Sequence, residues 1–104
     1  MILVDQLRRW PSAPLREKWW CHMVTDSDSF DELHAMADKI GLRRIWFQGD
    51  HYDLTSSMRG RALREGAVEV SSKELVVRRL RKDGTHGIPV LKLNLPEDWT
   101  RGRP

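Results

Sequence analysis

The sequence predicts an α/β domain: a small, mostly parallel sheet of about four strands with three helices, plus an extra edge strand near the C-terminus. Three observations carry this. Short apolar runs alternate with segments of helical spacing, which implies strands joined by crossover helices. Two Ser-x-x-Glu boxes, Ser29 to Glu32 and Ser71 to Glu74, mark helix starts. Gly41, Gly66 and Gly84 follow the helical runs as stop signals.

Taken in order, Ile2-Leu3-Val4 reads as a short buried strand ending at Asp5. Residues 6 to 18 hold two prolines and four basic residues with little periodicity, and read as a long loop, which in a small domain is usually functional or mobile. Trp19 to Val24 is a second strand whose alternation places Trp20, His22 and Val24 on one face. The capping box at Ser29 opens a helix with Phe30, Leu33, Ala37 and Ile40 at helical apolar spacing, and His34 on or beside that stripe. Arg44-Ile45-Trp46-Phe47 reads as a third strand, with Trp46 in the core. Thr55, Ser56 and Ser57 can cap a second helix running through Met58 and Ala62 to Gly66. Ala67 to Val70 is a fourth strand, and the Ser71 box opens a third helix with Leu75, Val76 and Leu80 inward. Leu91 to Leu95 alternates cleanly between Pro89 and Pro96, as an edge strand does. It suggests a homo-oligomer formed through that strand. The reading divides the chain into an α/β domain at 1–84 and a C-terminal extension at 85–104.

At 104 residues, one domain is expected, burying roughly two-thirds of its unfolded surface. The apolar fraction of 39% and charged fraction of 32% imply a thin core under a well-solvated surface. No stretch approaches the ~20 apolar residues of a bilayer span, so no membrane partner is expected. The apolar start is broken by Asp5 and followed by arginines, the wrong order for a secretory signal. The single cysteine, Cys21, excludes an internal disulfide and fits a reducing, cytoplasmic setting. Cys21 as a nucleophile lacks a base other than its neighbour His22, which points elsewhere in a strand. A net charge of +3 suits a nucleic-acid or nucleotide partner without demanding one.

The densest chemistry lies at Asp50-His51-Tyr52-Asp53, where an apolar run ends at Gly49. Strand ends followed by short polar loops are where positioned side chains act. His51, Tyr52 and Asp53 are the candidate catalytic residues, with His51 as a general acid or base near neutral pH. Asp5, His22, His34 and Asp50 could ligate a divalent metal together with them. Mixed imidazole and carboxylate donors suit zinc, iron or manganese, although no compact ligand motif is present. Each has a plain structural alternative: a hydrogen-bonded core histidine for His34 and His22, a helix cap for Asp53, loop amides for Asp5. Arg59, Arg61 and Arg64, with the basic loop, would hold an anionic substrate, or else form a solvated helix face. Of the five tryptophans, one of the Trp19–Trp20 pair, with Trp10 and Trp99, could be exposed. Exposed rings among arginines are what single-stranded nucleic acid stacks on, and Trp20 is assigned as ligand-binding. Burial under the loop and tail, or at a subunit interface, is the alternative.

Several pieces resemble the bacterial and phage family known as domain of unknown function 4031: Ile2-Leu3-Val4-Asp5, Trp20-Cys21-His22-Met23 with Asp26, Glu32 to Ala37, Asp50-His51-Tyr52-Asp53, Ala62 with Gly66-Ala67, and Ser71 to Val76. They span residues 1 to about 82. The resemblance supports the domain limits and the candidate residues, and carries no reaction. The function expected is binding of a phosphate-containing ligand or nucleic acid at a His/Asp site, as a metal-assisted phosphodiesterase or nuclease. The alternative is a non-enzymatic binding module or phage accessory protein.

Overall fold

A computed structural model of the protein describes residues 1–88. The elements in order are β1 (Ile2–Val4), β2 (Arg8–Arg9), β3 (Trp19–Thr25), α1 (Asp31–Lys39), a 3-10 turn (Arg44–Trp46), β4 (Tyr52–Thr55), α2 (Ser56–Arg64), β5 (Val68–Glu69) and α3 (Ser72–Arg78). The proposed edge strand at 91–95 and Trp99 lie outside the described residues.

The α/β class holds, but the sheet is mixed and mostly antiparallel, not mostly parallel. β3 is its hub. It pairs antiparallel with β1 and β2 on one edge and with β4 on the other, and only β1 and β5 run parallel. The cause lies at residues 44–47. This run does not join the sheet: Ile45 and Trp46 are exposed in the 3-10 turn, so Trp46 is not core. Phe47 instead packs between Phe30, His34 and Tyr52. The strand forms eight residues later, at Tyr52–Thr55, where Tyr52 and Leu54 are buried and Asp53 and Thr55 face outward. The chain therefore re-enters the sheet antiparallel to β3.

The alternation in each strand divides the side chains between two faces. Ile2, Val4, Cys21, Met23, Tyr52 and Leu54 pack with Leu33, Met36 and Ala37 of α1 and Ala62 of α2 in the main core. Leu3 and Val24 lie on the other face, under Val70 and Leu75 of α3. That second face is only partly covered, and the remainder carries Trp20, His22 and Asp53.

Neither expected capping box closes on both sides, and α3 stops at Arg78, short of Gly84. Ser71 accepts from the Glu74 amide (3.1 Å), and Thr55 from the Met58 amide (3.4 Å). At α1, Ser29 accepts from the Asp31 amide (3.1 Å), but Glu32 accepts from the Thr25 hydroxyl (2.6 Å) instead of reaching back to close the box. That hydroxyl is buried in the sheet and has a stronger claim on a carboxylate than a solvated amide does.

Tyr52, expected to be catalytic, is buried in the main core, on the face away from Asp53. Its hydroxyl meets His34 Nδ1 at 2.8 Å. Tyr52→Phe is expected to cost about 1 kcal/mol in chemical denaturation, the net value of one hydrogen bond. It should leave metal affinity unchanged. A loss of metal binding in this variant would put the phenol in the site.

Candidate metal centre

Three adjacent strands bring the site residues together. In the β3–β4 register, His22 stands opposite Asp53. On the other edge, the β1–β3 register ends at Val4 opposite Met23, and the Asp5 amide donates to the His22 carbonyl (3.3 Å). Asp53, His22 and Asp5 thus form a row across the sheet. After Asp5 the pairing slips by one residue, with Arg8 opposite Trp20. Such a bulge breaks the regular ladder and re-aims side chains. Asp5 sits at the break and turns its carboxylate onto its neighbour: Oδ1 accepts from the His22 amide (2.7 Å) and Oδ2 meets His22 Nδ1 (2.9 Å). The Ser72 hydroxyl also donates to Oδ2 (3.2 Å).

His51 arrives from the loop preceding β4. Gly49, at φ +95°, makes the turn that an L side chain rarely adopts. The Gln48 amide then donates to the His51 carbonyl (2.9 Å), closing the loop. His51 Nδ1 lies 2.6 Å from Asp50 Oδ1, and its Nε2 lies 3.4 Å from Asp53 Oδ1. His22 Nε2 lies 4.0 Å from that same oxygen. Gln48 Nε2 donates to the second Asp53 oxygen (2.6 Å).

The two histidines are therefore arranged alike. Each has Nδ1 on a carboxylate and Nε2 turned toward Asp53. A neutral ring that donates from Nδ1 leaves Nε2 bare as a lone-pair donor. Carboxylate-held imidazoles of this form are the usual outer support of protein metal sites. The donor atoms of His22, His51 and Asp53 lie within 4.8 Å of one another. Ligands 2.0–2.1 Å from a four-coordinate ion stand about 3.3 Å apart, so modest side-chain rotation closes the three on one ion.

The other expected ligands fall elsewhere. Asp5 and Asp50 hold the imidazoles from behind rather than facing the cluster. His34 bonds Tyr52 on the opposite side of β4 and packs edge-on against Phe47, with ring centroids 4.6 Å apart. Arg59 donates from Nε to the Asp5 carbonyl (2.9 Å) and pairs with Glu69, and Arg61 donates to the Ile40 carbonyl (3.2 Å). Those two bind the fold's own oxygens. Neither they nor Arg64 line the cavity above the cluster.

That cavity, about 410 Å³, is lined by Gln6, Arg8, Arg9, Trp10, Trp20, Cys21, His22, His51 and Asp53. Its cations come from β2. Arg8 donates to Ser72 Oγ (3.0 Å), which in turn holds Asp5. Cys21 is buried, and burial with the nearby Asp5 charge pushes its thiol up to about 12, so no nucleophilic thiolate is available.

A family profile described as "Protein of unknown function (DUF4031)" matches residues 2–83. The chain belongs to this family. The match spans both histidines, Asp53 and their carboxylate supports, and the DUF4031 region ends one residue before Gly84. No curated protein and no solved structure matched the chain. Among the described residues, no helix is long and apolar enough to cross a membrane.

Charge sets the titration of this DUF4031 cluster. The Asp5 hydrogen bond raises His22 above its ordinary 6.5, against burial. Asp53, then Asp50, raise His51 in the same way. Burial and the nearby Arg44 lower His34. In metal-free protein, NMR titration is expected to show His22 and His51 protonating above pH 6.5 and His34 below it. Equal values for all three would contradict the carboxylate contacts.

Proposed function

We propose that His22 Nε2, His51 Nε2 and Asp53 Oδ1 bind one divalent metal ion that acts on a phosphate-containing ligand, as in phosphodiester hydrolysis. The observation that supports this is the matched orientation of the two imidazoles: Nδ1 of each is held by a dedicated carboxylate and Nε2 of each turns to a common third donor. Two histidines and a carboxylate suit zinc, iron or manganese. Three protein ligands leave coordination positions for water and substrate. The ion would supply a water of lowered pKa and neutralise charge on the phosphoryl oxygens.

The chain supplies the rest. Asp5 and Asp50 fix the ring orientations. Gln48 holds Asp53 with one oxygen toward the histidines. Arg8 and Arg9 line the cavity wall and attract an anionic ester. In the reaction, the water oxygen bonds to phosphorus, the ester P–O bond breaks, the water proton passes to solvent, and the leaving oxygen takes up another.

The test is metal titration of chelator-stripped protein with zinc, manganese and iron(II) by calorimetry, followed by hydrolysis of bis-p-nitrophenyl phosphate. Wild type is expected to bind one equivalent and to hydrolyse the ester only when loaded, and His51→Ala to do neither. Failure to bind any of the three ions would remove the metal centre. Binding without turnover would remove the hydrolase reading.

A further inference from the structure

Beside the cluster cavity runs a second groove, of about 520 Å³, walled by Trp10, Leu15, Trp20, Ile45, Trp46 and Met58. The two cavities share Trp10, Trp20 and Asp53 in their walls, so the groove adjoins the cluster cavity. We infer that this groove takes the unpaired bases of a single-stranded nucleic acid whose phosphates lie at the cluster. The inference rests on the phosphoester reading above and names its substrate class.

Three observations converge. First, the groove gathers four of the eight exposed large apolar residues of the described chain: Trp10, Leu15, Ile45 and Trp46. A contiguous patch of this kind on a small, highly charged domain marks a binding surface. Second, its rings are presented rather than packed away. The Trp20 indole is anchored by donating to the Glu17 carbonyl (2.9 Å), and Trp10 stands edge-on to it at 6.0 Å and 73°. Trp46 is carried on the 3-10 turn, which pairs with no strand. Indole faces stack on any base, whatever the sequence.

Third, cations stand at the cluster end, where Arg8 and Arg9 line the cavity wall that Trp10 and Trp20 share with the groove. The arginine ion pairs among the described residues belong to Arg59, Arg78, Arg79 and Arg81, not to these two. A basic end beside an aromatic trough complements a strand whose phosphates lie at the cluster and whose bases run along the rings. A mononucleotide would fill only part of that length. A duplex keeps its base faces stacked inside and could not use the indoles. A protein partner's apolar face would gain little from the Arg8 and Arg9 guanidinium groups at the cluster end.

The test is fluorescence anisotropy with a short labelled oligothymidylate, an abasic deoxyribose-phosphate strand of equal length, and the oligothymidylate annealed to its complement. Thymidine monophosphate serves as competitor. The base-bearing single strand is expected to bind at least about ten-fold more tightly than the abasic strand and the duplex. Trp46→Ala, at an exposed position that should not disturb folding, is expected to lower affinity for the base-bearing strand about five-fold or more, and for the abasic strand far less. Trp10→Ala provides a second, independent reading of the same loss. Arg9→Ala, which removes one phosphate contact, should reduce the slope of log affinity against log salt by about 0.7.

Equal affinity for base-bearing and abasic strands would overturn the inference. So would a duplex bound as tightly as the single strand, or competition by the mononucleotide at concentrations matching the strand's own affinity. Repeating the series in chelator, and with His51→Ala, separates the two proposals. Base preference that survives while no metal binds leaves the groove standing and removes the metal reading. Metal-dependent ester hydrolysis with no base preference does the reverse.

Discussion

Replacing Asp53 by alanine is expected to reduce metal affinity by more than about 100-fold and to abolish any metal-dependent turnover. Loss of a supporting carboxylate behind a ligand already costs about 10–100-fold, and Asp53 is itself one of the three proposed donors. Its effect is visible without metal as well. Burial pushes the Asp53 carboxyl up, but His51, His22 and the Gln48 amide pull it further down, to a net value below the ordinary one. In return, Asp53 is the largest influence raising His51 and also raises His22. Asp53→Ala should therefore lower both histidine pKa values in metal-free protein while leaving His34 in place. Calorimetry reads the first effect and NMR the second. If both histidines titrate unchanged, Asp53 does not face them and the three-donor cluster is wrong.

Asp5→Ala is expected to have the largest effect on stability of any polar substitution in the protein, about 2–4 kcal/mol in chemical denaturation. Asp5 is buried and accepts from the His22 amide, meets the His22 ring, and accepts from the Ser72 hydroxyl. Removing it leaves a buried donor without a partner and opens a void between β1 and α3. For a domain with a total of 5–15 kcal/mol, that is a substantial fraction. Asp5→Asn keeps the volume and an oxygen for the amide, so it should cost less stability. It removes the charge that holds Nδ1–H, so metal affinity should still fall about 10–100-fold. An Asp5→Ala protein as stable as wild type would show that the row across β4, β3 and β1 is not closed.

The pH dependence of this pair has a defined sign. Burial raises the Asp5 carboxyl, but the His22 ring and amide, with Ser72, bring it to a net value below 3.8. Its stabilising contribution is present above pH 3.8 and is lost as pH falls through the lower folded value. His22 is raised above 6.5, so its contribution is present below pH 6.5 and is lost as pH rises through the higher folded value. The metal-free difference between wild type and Asp5→Asn should thus be greatest between about pH 4 and 6.5, shrinking on both sides.

Much of the site was legible along the chain, for local reasons. Alternation alone put Trp20, His22 and Val24 on one face, and the structure agrees. Helix stops at Gly41 and Gly66 and caps at Thr55 and Ser71 depend on neighbouring backbone groups, so they too could be found from sequence. The cluster of polar residues around His51 marked the region where the imidazoles meet. Gln48 and Ser72 went unrecognised, because a support is defined by what it touches. The one available signal for β4 was the period-two pattern of Tyr52, Asp53, Leu54 and Thr55. It was outweighed by the more apolar run at 45–47.

What the sequence determined by itself is the inventory and the local geometry: an α/β domain, where its helices begin, where α1 and α2 end, which β3 residues share a face, and DUF4031 membership over residues 2–83. Tertiary structure alone decided which of several similar residues do which job. His22 and His51 became the candidate donors and His34 a partner of the buried Tyr52. Asp53 became a ligand candidate while Asp5 and Asp50 became supports, and Arg8 and Arg9 rather than Arg59 and Arg61 came to line the cavity. The reason is physical. Strand period and capping are set by residues a few positions apart, whereas the role of a histidine is set by which strand lies beside it, and that depends on pairing register between segments up to tens of residues apart.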